Sequence, residues 1–382
     1  MTSKKRPYVK NTTVMELWAK AGGRCEFEGC NEDLWVDGLT ARKINQSNIS
    51  HIVAASSNGP RGDKELSRLL AQDISNLMLT CLKHHKVIDD KEHVEYYTVE
   101  RLKEMKKKHE QRIKTVTSIK PECKTTVITY FMPIANKPIH LSDNEIMSTL
   151  LPDFYPEIDK IKLGKDTAFH EKNNKYWGIQ KEELKEQFKK KIVWRMENGD
   201  IKHISVFALA QQSLLIYLGY LLGNKYPTNV FQLNKEKESW KWRSNDSDIT
   251  YNIKKPCKID KNNNPVLNIS LSAKIEEERI KSVLPESDIW TFTIDAPNDD
   301  FLVAKNQLTL FKHEIRKLLD EIKNTYGPNS NINVFPAMPV STSIEFGRLI
   351  QTKIDLPIIV YEHISNKTGF VEAIKIEEDE LC

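Results

Sequence analysis

Four candidate metal ligands, in two close pairs, constrain this chain more than any other feature of its sequence. The pairs lie about fifty residues apart and are Cys25 with Cys30, and Cys81 with His84. Soft ligands grouped in this way are typical of a tetrahedral structural zinc site, in which two turns of the chain face each other. The sequence therefore predicts a zinc-stapled module near its amino end. Within the stretch from Cys25 to His85 two histidines, His51 and His85, are left over and suggest a second site with a catalytic role.

Length and composition set the outer limits. A chain of 382 residues is long enough for two or three domains. Its six cysteines are sparse, and in a reducing compartment close pairs indicate metal rather than disulfides. Met1 to Pro7 has no apolar run behind its charges, and the chain has no stretch of eighteen apolar residues, so we expect a cytoplasmic protein without a membrane span. The remaining cysteines are expected to be free thiols: Cys123, Cys257 and Cys382.

The positive charge is concentrated in the first part of the chain. Residues 1 to 120 contain 22 lysines and arginines against 16 acidic residues, a net charge of +6, whereas the remainder has a net charge of −2. This asymmetry is expected when only the first part meets nucleic acid. The run Lys106 to Lys108 is either a solvated face or a phosphate contact, and the solvated face is the simpler interpretation.

Short elements are predicted around the zinc ligands. Apolar spacing predicts a helix from Val14 to Ala21, ended by Gly22 and Gly23. The other elements predicted in this part are an extended segment from Ala41 to Val53, a polar helix near Lys64 to Ala71, a strand from Ile74 to Leu79, an element beginning at His84, and a charged helix from Val99 to Lys120.

The order of these features resembles the zinc-stapled branch of the HNH endonucleases, which have a ββα-metal active site. The features are Cys-x4-Cys, a histidine that ends a short extended run, and Asn-x4-Cys-x2-His-His, within residues 14 to 115. The resemblance implies that His51 is the general base, that Asn76 holds the hairpin, and that His85 binds a catalytic cation such as Mg²⁺. The structural zinc ligands that it implies are Cys25, Cys30, Cys81 and His84.

The implied chemistry suits these residue types. Hydrolysis of a phosphodiester needs a nucleophilic water and a cation that neutralises charge on the phosphate and on the leaving 3′ oxygen. A histidine with an ordinary pKa near 6.5 is a suitable base at cellular pH. Two alternatives stay open, because His84 and His85 could exchange roles and Asn76 could simply cap a turn.

Ser50 departs from the family pattern. Many HNH endonucleases carry Asp, Glu or His immediately before the base histidine as a second cation ligand, and Ser50 stands there in this chain. A neutral serine is a poor ligand, so its assignment to the cation is only one option. The others are His85 with a backbone carbonyl, water and the substrate phosphate, or a carboxylate such as Asp89.

Beyond residue 120 the pattern becomes that of an α/β domain. A buried strand from Ile204 to Ala210 precedes a helix from Leu214 to Leu222. Ile332 to Arg348 repeats this strand–loop–helix arrangement, with its helix ending near Gly347, which indicates an internal duplication. The other elements predicted here are a strand from Ile289 to Ile294, an amphipathic helix from Asn306 to Tyr326, and a closing strand from Leu356 to Tyr361.

This part resembles the SAVED domain, which is two fused CARF-like Rossmannoid halves that bind cyclic oligonucleotides in bacterial anti-phage signalling. The matching segments are Ser205 to Ala210 with the helix ending in Leu218-Gly219, Trp240 to Trp242, and Val334 to Arg348. Fusion of an HNH and a SAVED domain is the architecture of a CBASS immunity effector. The resemblance implies an α+β and α/β multidomain chain, with HNH domain 1–118 and SAVED domain 119–382.

A sensor of a cyclic nucleotide needs aromatic side chains for bases and donors for phosphates, where two strand–loop–helix units meet. Trp240 and Trp242, at i and i+2, are expected on one face of a strand, with core packing as the alternative. Hydroxyls before a helix can contact phosphate or cap the helix. The polar candidates are Gln212, Ser213, Ser341 and Ser343, although the expected small residues and proline after the first strand are replaced by Gln211-Gln212-Ser213.

The combined resemblance implies a metal-dependent endonuclease that cuts double-stranded DNA once a cyclic di- or trinucleotide binds the sensor. Its cofactors would be structural Zn²⁺ and catalytic Mg²⁺ or a similar cation. Activation would involve a homo-oligomer, from dimer to tetramer, and no membrane. The alternative from another class is a non-enzymatic zinc-containing DNA-binding protein controlled by a small-molecule sensor. His51 and His85 distinguish the two, because a binding module needs neither a base nor a catalytic cation.

Overall fold

The computed structural model describes residues 9–133, 141–164, 174–234, 239–243, 247–364 and 369–377. Residues 1–8, which include the charged start Met1 to Pro7, and Cys382 lie outside the described residues. The chain forms two compact units, Met1–Lys120 and Pro121–Cys382.

The first unit is a two-stranded hairpin with helices around it. Strand β1 pairs antiparallel with β2, with His51 opposite Leu77 and Ser47 opposite Cys81. Its elements in chain order are α1 (Asn11–Ala21), β1 (Ser47–His51), α2 (Leu66–Leu69), a 3-10 turn (Ile74–Asn76), β2 (Leu77–Cys81), α3 (Leu82–Asp89) and α4 (Val99–Thr117).

Strand β2 forms the centre of this unit because all five of its residues are buried. Successive side chains of a strand point to opposite faces. Leu77 and Leu79 accordingly pack with Leu17 of α1, whereas Met78 packs with Ile88 and Leu102 from α3 and α4. The buried strand therefore joins the hairpin to the helices on both of its sides.

The predicted elements of the first unit are found, with different bounds. Helix α1 begins three residues before the predicted Val14, and Gly22 ends it in the left-handed conformation that glycine favours. Only Ser47–His51 of the predicted extended segment forms a strand, and the polar helix is reduced to Leu66–Leu69. The strand predicted from Ile74 begins at Leu77 instead.

The second unit contains two sheets, and the first of them is wholly parallel. Its order is β4-β3-β6-β7, and β5 also pairs with β3. Helix α6 continues through a π-helical turn, Lys189–Val193, into α7. The elements of this half are β3 (Lys124–Phe131), α5 (Asp143–Leu150), β4 (Tyr155–Pro156), β5 (Ile161–Leu163), α6 (Asn174–Phe188), α7 (Trp194–Glu197), β6 (Ile204–Leu209), α8 (Gln212–Leu222) and β7 (Thr228–Val230).

The second sheet has the order β13-β12-β11-β9-β10-β8, in which the four central strands are parallel and the two edge strands antiparallel. Its elements are β8 (Asn252–Lys254), β9 (Asn264–Ser270), α9 (Glu277–Lys281), β10 (Ser287–Thr293), α10 (Lys305–Tyr326), β11 (Ile332–Ala337), α11 (Val340–Leu349), β12 (Ile358–Ile364) and β13 (Gly369–Ile376). The predicted closing strand is therefore not the last one, because β13 follows it.

Helices α8 and α11 join the two halves at a close crossing. A Cβ atom on Gly219 would lie 2.0 Å from the carbonyl oxygen of Ile344, and one on Gly347 would lie 1.9 Å from that of Ile216. Only glycine allows the two backbones to approach so closely. Both glycines belong to the duplicated units that the sequence predicts, and the reciprocal contact places those units face to face.

One hydrophobic core extends through both halves of the second unit. It includes Ile128 and Val206 from the first sheet, Leu267 and Val334 from the second, and nearly all of α8. In the described part of the chain, no helix combines the length and the apolar character needed to cross a bilayer.

Candidate functional sites

The two Cys/His pairs of the first unit meet in one cluster. The candidate ligand atoms of Cys25, Cys30, Cys81 and His84 all lie within 4.8 Å of one another. The Nδ1 atom of His84 is 3.2 Å from the Cys81 sulfur and 3.7 Å from the Cys25 sulfur. Three thiols and one imidazole nitrogen at this spacing fit the tetrahedral Cys3His coordination of structural zinc. The ring next to the cysteines belongs to His84 and not to His85.

The surroundings of the cluster fix its shape. The ring of Phe27 stacks on His84 with 4.1 Å between centroids and an interplanar angle of 3°. Burial raises the pKa of the Cys25 and Cys81 thiols. Because zinc binds thiolates, such buried thiols would release protons when a cation binds. The donor set therefore suits a cation that compensates the buried negative charge.

The buried Glu26 ties the turn between Cys25 and Cys30 to the rest of the unit. Its carboxylate accepts a hydrogen bond of 2.5 Å from the Leu79 amide, and the Lys106 ammonium lies 3.9 Å away. Burial raises the pKa of Glu26 to about 7, although Lys106 opposes this shift. This contact could not be predicted from the sequence, because glutamate is rarely buried.

His51 ends β1, and its ring is held by a backbone carbonyl. The Nε2 atom lies 3.0 Å from the carbonyl oxygen of Ala71. A carbonyl can only accept a hydrogen bond, so Nε2 carries the proton and the Nδ1 atom of the neutral ring keeps its lone pair. His51 thus has the tautomer that a general base acting through Nδ1 requires.

Asn76 joins the chain that follows β1 to the start of β2. It is 1% exposed, its Oδ1 atom accepts from the Val53 amide at 2.7 Å, and its Nδ2 atom donates to the Val53 carbonyl at 2.9 Å. Nδ2 also lies 3.2 Å from the Leu70 carbonyl. These bonds link segments distant in sequence, so Asn76 does more than cap the local turn.

His85 lies on α3 with its Nδ1 atom facing β1. The Ser50 hydroxyl is 2.9 Å from this nitrogen and 2.6 Å from the Thr80 hydroxyl. Ser50 is 1% exposed, so its side chain is committed to these two partners. The hydrogen bond engages Nδ1 and leaves Nε2 as the ring nitrogen of His85 that can bind a cation.

Arg61 is a functional candidate that the sequence reasoning missed. Its side chain is only 6% exposed, and it donates to the carbonyls of Ile52 and Ile88 and, at 2.8 Å, to the Asp89 carboxylate. The second Asp89 oxygen lies 3.9 Å from Nδ1 of His85. Arg61 therefore ties the segment after His51 to the end of α3. The run of turn formers around it gave no indication that its side chain is buried.

In the second unit, polar side chains cross between the halves at the carboxyl ends of the strands. The Ser213 amide, in the first turn of α8, donates to the Glu362 carboxylate of β12 at 2.9 Å. The Oε1 atom of Gln212 accepts from the Met338 amide at 3.1 Å. In the reverse direction, Gln232 accepts from both the amide and the hydroxyl of Ser341. The starts of α8 and α11 are thus bridged by side-chain acceptors.

The remaining candidates have different surroundings. Ser343 lies inside α11 and donates to the Pro339 carbonyl four residues earlier, at 3.1 Å, so its hydroxyl does not cap the helix. The hydroxyl of Ser213 and the Oε1 atom of Gln211 are buried without a hydrogen-bond partner among the described residues. Glu362 and Gln232, which reach the helix starts, escaped prediction because they lie far in sequence from the residues they contact.

The prediction that Trp240 and Trp242 lie on a strand was wrong. Of residues 239–243, only Ser239 pairs, in an isolated bridge. Trp240 is 3% exposed and packs edge-on against Phe207 with 5.4 Å between ring centroids. The core-packing alternative therefore applies to Trp240. Trp242 is half-buried against the main core.

Together, these features define the second unit as a two-halved Rossmann-like α/β domain, with its polar groups at the edge where such folds bind ligands. The family model described as "SMODS-associated and fused to various effectors sensor domain" matches residues 184–376, just over half of the chain. The chain therefore belongs to the SAVED family. No curated protein sequence matches it significantly.

Several solved structures are similar to the chain. The Acinetobacter baumannii Cap4 SAVED/CARF-domain containing receptor with the cyclic trinucleotide 2′3′3′-cAAA is 11% identical over 82% of this chain and 67% of that chain, with a TM-score of 0.45. The same receptor with 3′3′3′-cAAA is 9% identical over 81% of this chain and 59% of that chain, with a TM-score of 0.43. The Moraxella osloensis Cap4 SAVED/CARF-domain containing receptor is 10% identical over 83% of this chain and 70% of that chain, with a TM-score of 0.41. The chain thus spans about three fifths to seven tenths of these proteins.

Proposed function

We propose that this chain is a cyclic-oligonucleotide-activated, metal-dependent endonuclease that degrades double-stranded DNA in abortive-infection anti-phage defence of the CBASS type. One observation carries the nuclease assignment. His51 and His85 are each held through one ring nitrogen, by Ala71 and Ser50 respectively, so that each keeps its other nitrogen for chemistry. A zinc module that only bound DNA would have no use for two histidines oriented in this way.

The proposed reaction is in-line hydrolysis of the phosphodiester. Nδ1 of His51 accepts a proton from water as the water oxygen forms its bond to phosphorus, and the bond from phosphorus to the 3′ oxygen breaks. A divalent cation such as Mg²⁺, held by Nε2 of His85, would supply positive charge for the phosphate and the leaving oxygen. The Ala71 carbonyl stabilises the imidazolium that His51 becomes, because it accepts a hydrogen bond from Nε2–H.

The neighbouring residues keep this geometry rigid. Asn76 fixes the loop that follows His51, and Arg61 connects that loop to the end of α3, which carries His85. Hydrogen bonds to charged groups contribute about 1.5–3 kcal/mol each. A hydrogen-bonded frame of this kind holds base and cation ligand at a constant separation, which positional catalysis requires.

We assign Ser50 a positioning role in place of direct cation binding. Its hydroxyl accepts a hydrogen bond from Nδ1–H of His85 and donates one to the Thr80 hydroxyl, which fixes the orientation and tautomer of the histidine ring. Partners of this kind raise the basicity of a metal-binding histidine, and their loss reduces metal affinity about 10- to 100-fold. In this proposal the other ligands of the cation are water and the substrate phosphate. Asp89 acts through its ion pair with Arg61.

Ser50→Ala is expected to weaken cation binding about 10- to 100-fold, because His85 loses the acceptor for its Nδ1 proton. Titration with Mn²⁺, followed by electron paramagnetic resonance, measures this affinity without DNA. Ser50→Thr, which keeps the hydroxyl, should largely restore binding. Ser47→Ala is a control on the same strand, since the Ser47 hydroxyl bonds to Asn45 instead. Unchanged Mn²⁺ affinity in Ser50→Ala would contradict the positioning role.

The SAVED domain is proposed to bind the activating cyclic di- or trinucleotide at the starts of α8 and α11. Amides in the first turn of a helix favour phosphate. Those of Ser213 and Ser341 follow β6 and β11, which belong to different sheets, and a phosphate there would replace Glu362 and Gln232 as their acceptors. Gln212 and Ser343 border the same helix starts, and the half-buried Trp242 remains the aromatic candidate. Family membership supports the sensor role, and ligand binding is proposed to promote assembly into a dimer or tetramer.

One experiment tests the proposed function. Purified protein is incubated with plasmid DNA and Mg²⁺, with and without a panel of cyclic di- and trinucleotides that includes 2′3′3′-cAAA and 3′3′3′-cAAA. We expect cleavage that needs both the cation and one of the nucleotides. Cleavage that ignores every nucleotide would contradict the sensor assignment. DNA binding without cleavage under all conditions would favour the non-enzymatic alternative.

A further inference from the structure

A groove of about 810 Å³ lies between α1, α4 and the 3-10 turn of the first unit. Its apolar part comes from Ala19, Ile74 and Ile113, and its charge comes mainly from lysines of α4. Ile74 and Ser75 in its wall directly precede Asn76, which secures the segment after the proposed base. One wall of the groove is therefore formed by the residues that lead directly into β2 of the proposed catalytic hairpin.

Most charges around the groove are already compensated. Lys20 pairs with Glu16 at 2.7 Å, and Lys106 pairs with Glu110 at 2.5 Å. These two glutamates are the acidic residues of the lining. Lys108, outside the groove, pairs with Glu104. The run Lys106 to Lys108 thus divides into two paired lysines and one further lysine, Lys107.

Three exposed lysines of the lining carry the uncompensated charge: Lys103, Lys107 and Lys114. None of them forms an ion pair with a carboxylate in the described part of the chain. At about 100° per residue, positions i, i+4 and i+11 fall within about 40° of one another on a helix. The three ammonium groups therefore leave α4 on one face, in a row about 16 Å long.

We propose that this lysine row binds the sugar–phosphate backbone of double-stranded DNA, outside the catalytic centre. A strand of duplex DNA has a phosphate for about every 3.4 Å of helix axis, so the row has the length of about five phosphates. Unpaired lysines fit this polyanion because binding releases condensed counterions and needs no acidic partner to be displaced. The inference rests on the proposed function, since it identifies how the nuclease unit holds its substrate.

The test measures DNA binding as a function of salt in full-length protein with His51→Ala, which binds without cutting. Each lost phosphate contact lowers the slope of log affinity against log salt by about 0.9. The triple variant Lys103→Gln, Lys107→Gln, Lys114→Gln should therefore reduce the slope by about 2 to 3. When salt is raised from 50 to 200 mM, both proteins lose DNA affinity, and the factor lost by the triple variant should be about 40 times smaller than the factor lost by the parent. The assay is run with and without the cyclic trinucleotides.

The matched control removes the same charge from exposed lysines outside the groove: Lys10→Gln, Lys43→Gln and Lys91→Gln. An equal change of slope in both triple variants, or no DNA binding by the parent protein, would overturn the lysine row as a DNA-binding surface. If the unmutated chain cleaves plasmid DNA but the groove variant keeps the salt slope of its parent, the lysine row is not the DNA-binding surface, and the proposed nuclease activity stands. If the groove variant loses salt slope but the unmutated chain does not cleave DNA, the lysine row binds DNA and the proposed nuclease activity is wrong.

Discussion

His51→Ala is expected to lower nucleotide-activated DNA cleavage by about 10²- to 10⁴-fold, which is the usual contribution of a positioned general base. The loss corresponds to about 3 to 5 kcal/mol of transition-state stabilisation. It follows from the tautomer of His51, because Nε2 is committed to the Ala71 carbonyl and Nδ1 is the atom that accepts the proton. Plasmid cleavage rates at saturating Mg²⁺ and activating nucleotide measure the effect.

Two variants separate proton transfer from structural damage. The side-chain amide of His51→Gln can still donate a hydrogen bond towards Ala71 but has no basic nitrogen, so it should be nearly as inactive as His51→Ala. His93→Ala is the matched control, since the His93 side chain is 56% exposed and its one ion pair among the described residues is with Asp90, three residues earlier. Both His51 variants should keep their metal content and thermal stability. Cleavage by His51→Gln at the rate of the unmutated protein would exclude His51 as the base.

Features with a local sequence signature could be predicted. The candidate zinc ligands come from two short segments. Because β2 leads directly into α3, Cys81 and His84 lie three residues apart, and their meeting follows from local structure. The two strand–loop–helix units could also be predicted, because the pattern of an apolar strand followed by an apolar helix occurs twice in the sequence. The close crossing through Gly219 could not be foreseen, since a glycine inside a helix has many explanations.

Contacts between distant residues could not be predicted. The sequence placed Ser50 in the position of a cation ligand, whereas its environment depends on the pairing of β1 with β2, which brings Thr80 beside it. Arg61 is buried only because two carbonyls and Asp89 from separate segments surround it. Trp240 was placed on a strand because period-two spacing occurs in irregular segments as well. In each case the tertiary environment decides the role.

The proposed zinc site and the proposed catalytic site share one small unit. His84 and His85 are adjacent on the first turns of α3, and their rings take different partners, the cysteines and Ser50. A helix held at one residue by the Cys3His cluster presents the next residue in a defined direction. The cluster therefore serves the proposed catalytic site by orienting α3, and a defect in the cluster should also disturb cation binding at His85.

Cys81→Ser is accordingly expected to abolish zinc binding and unfold the first unit. Structural zinc contributes about 10–16 kcal/mol of apparent binding energy in small zinc modules, which is comparable to the entire stability of a typical domain. Cys81 also belongs to the buried core of this unit, so its loss affects packing as well as coordination. Elemental analysis should show about one zinc per chain in the parent protein and none in the variant. Hydrogen exchange should then be fast in β1, β2 and α3.

The sequence offers matched controls for the same substitution. Cys257 is exposed and Cys123 is half-buried, and neither belongs to the cluster, so Cys257→Ser and Cys123→Ser should keep both zinc and slow exchange. Strands β9 and β11 of the SAVED domain should remain protected in Cys81→Ser, because their core contains no residue of the first unit. Slow exchange of β2 in a zinc-free Cys81→Ser protein would show that the hydrophobic contacts of this strand suffice. The cluster would then not be the staple of the fold.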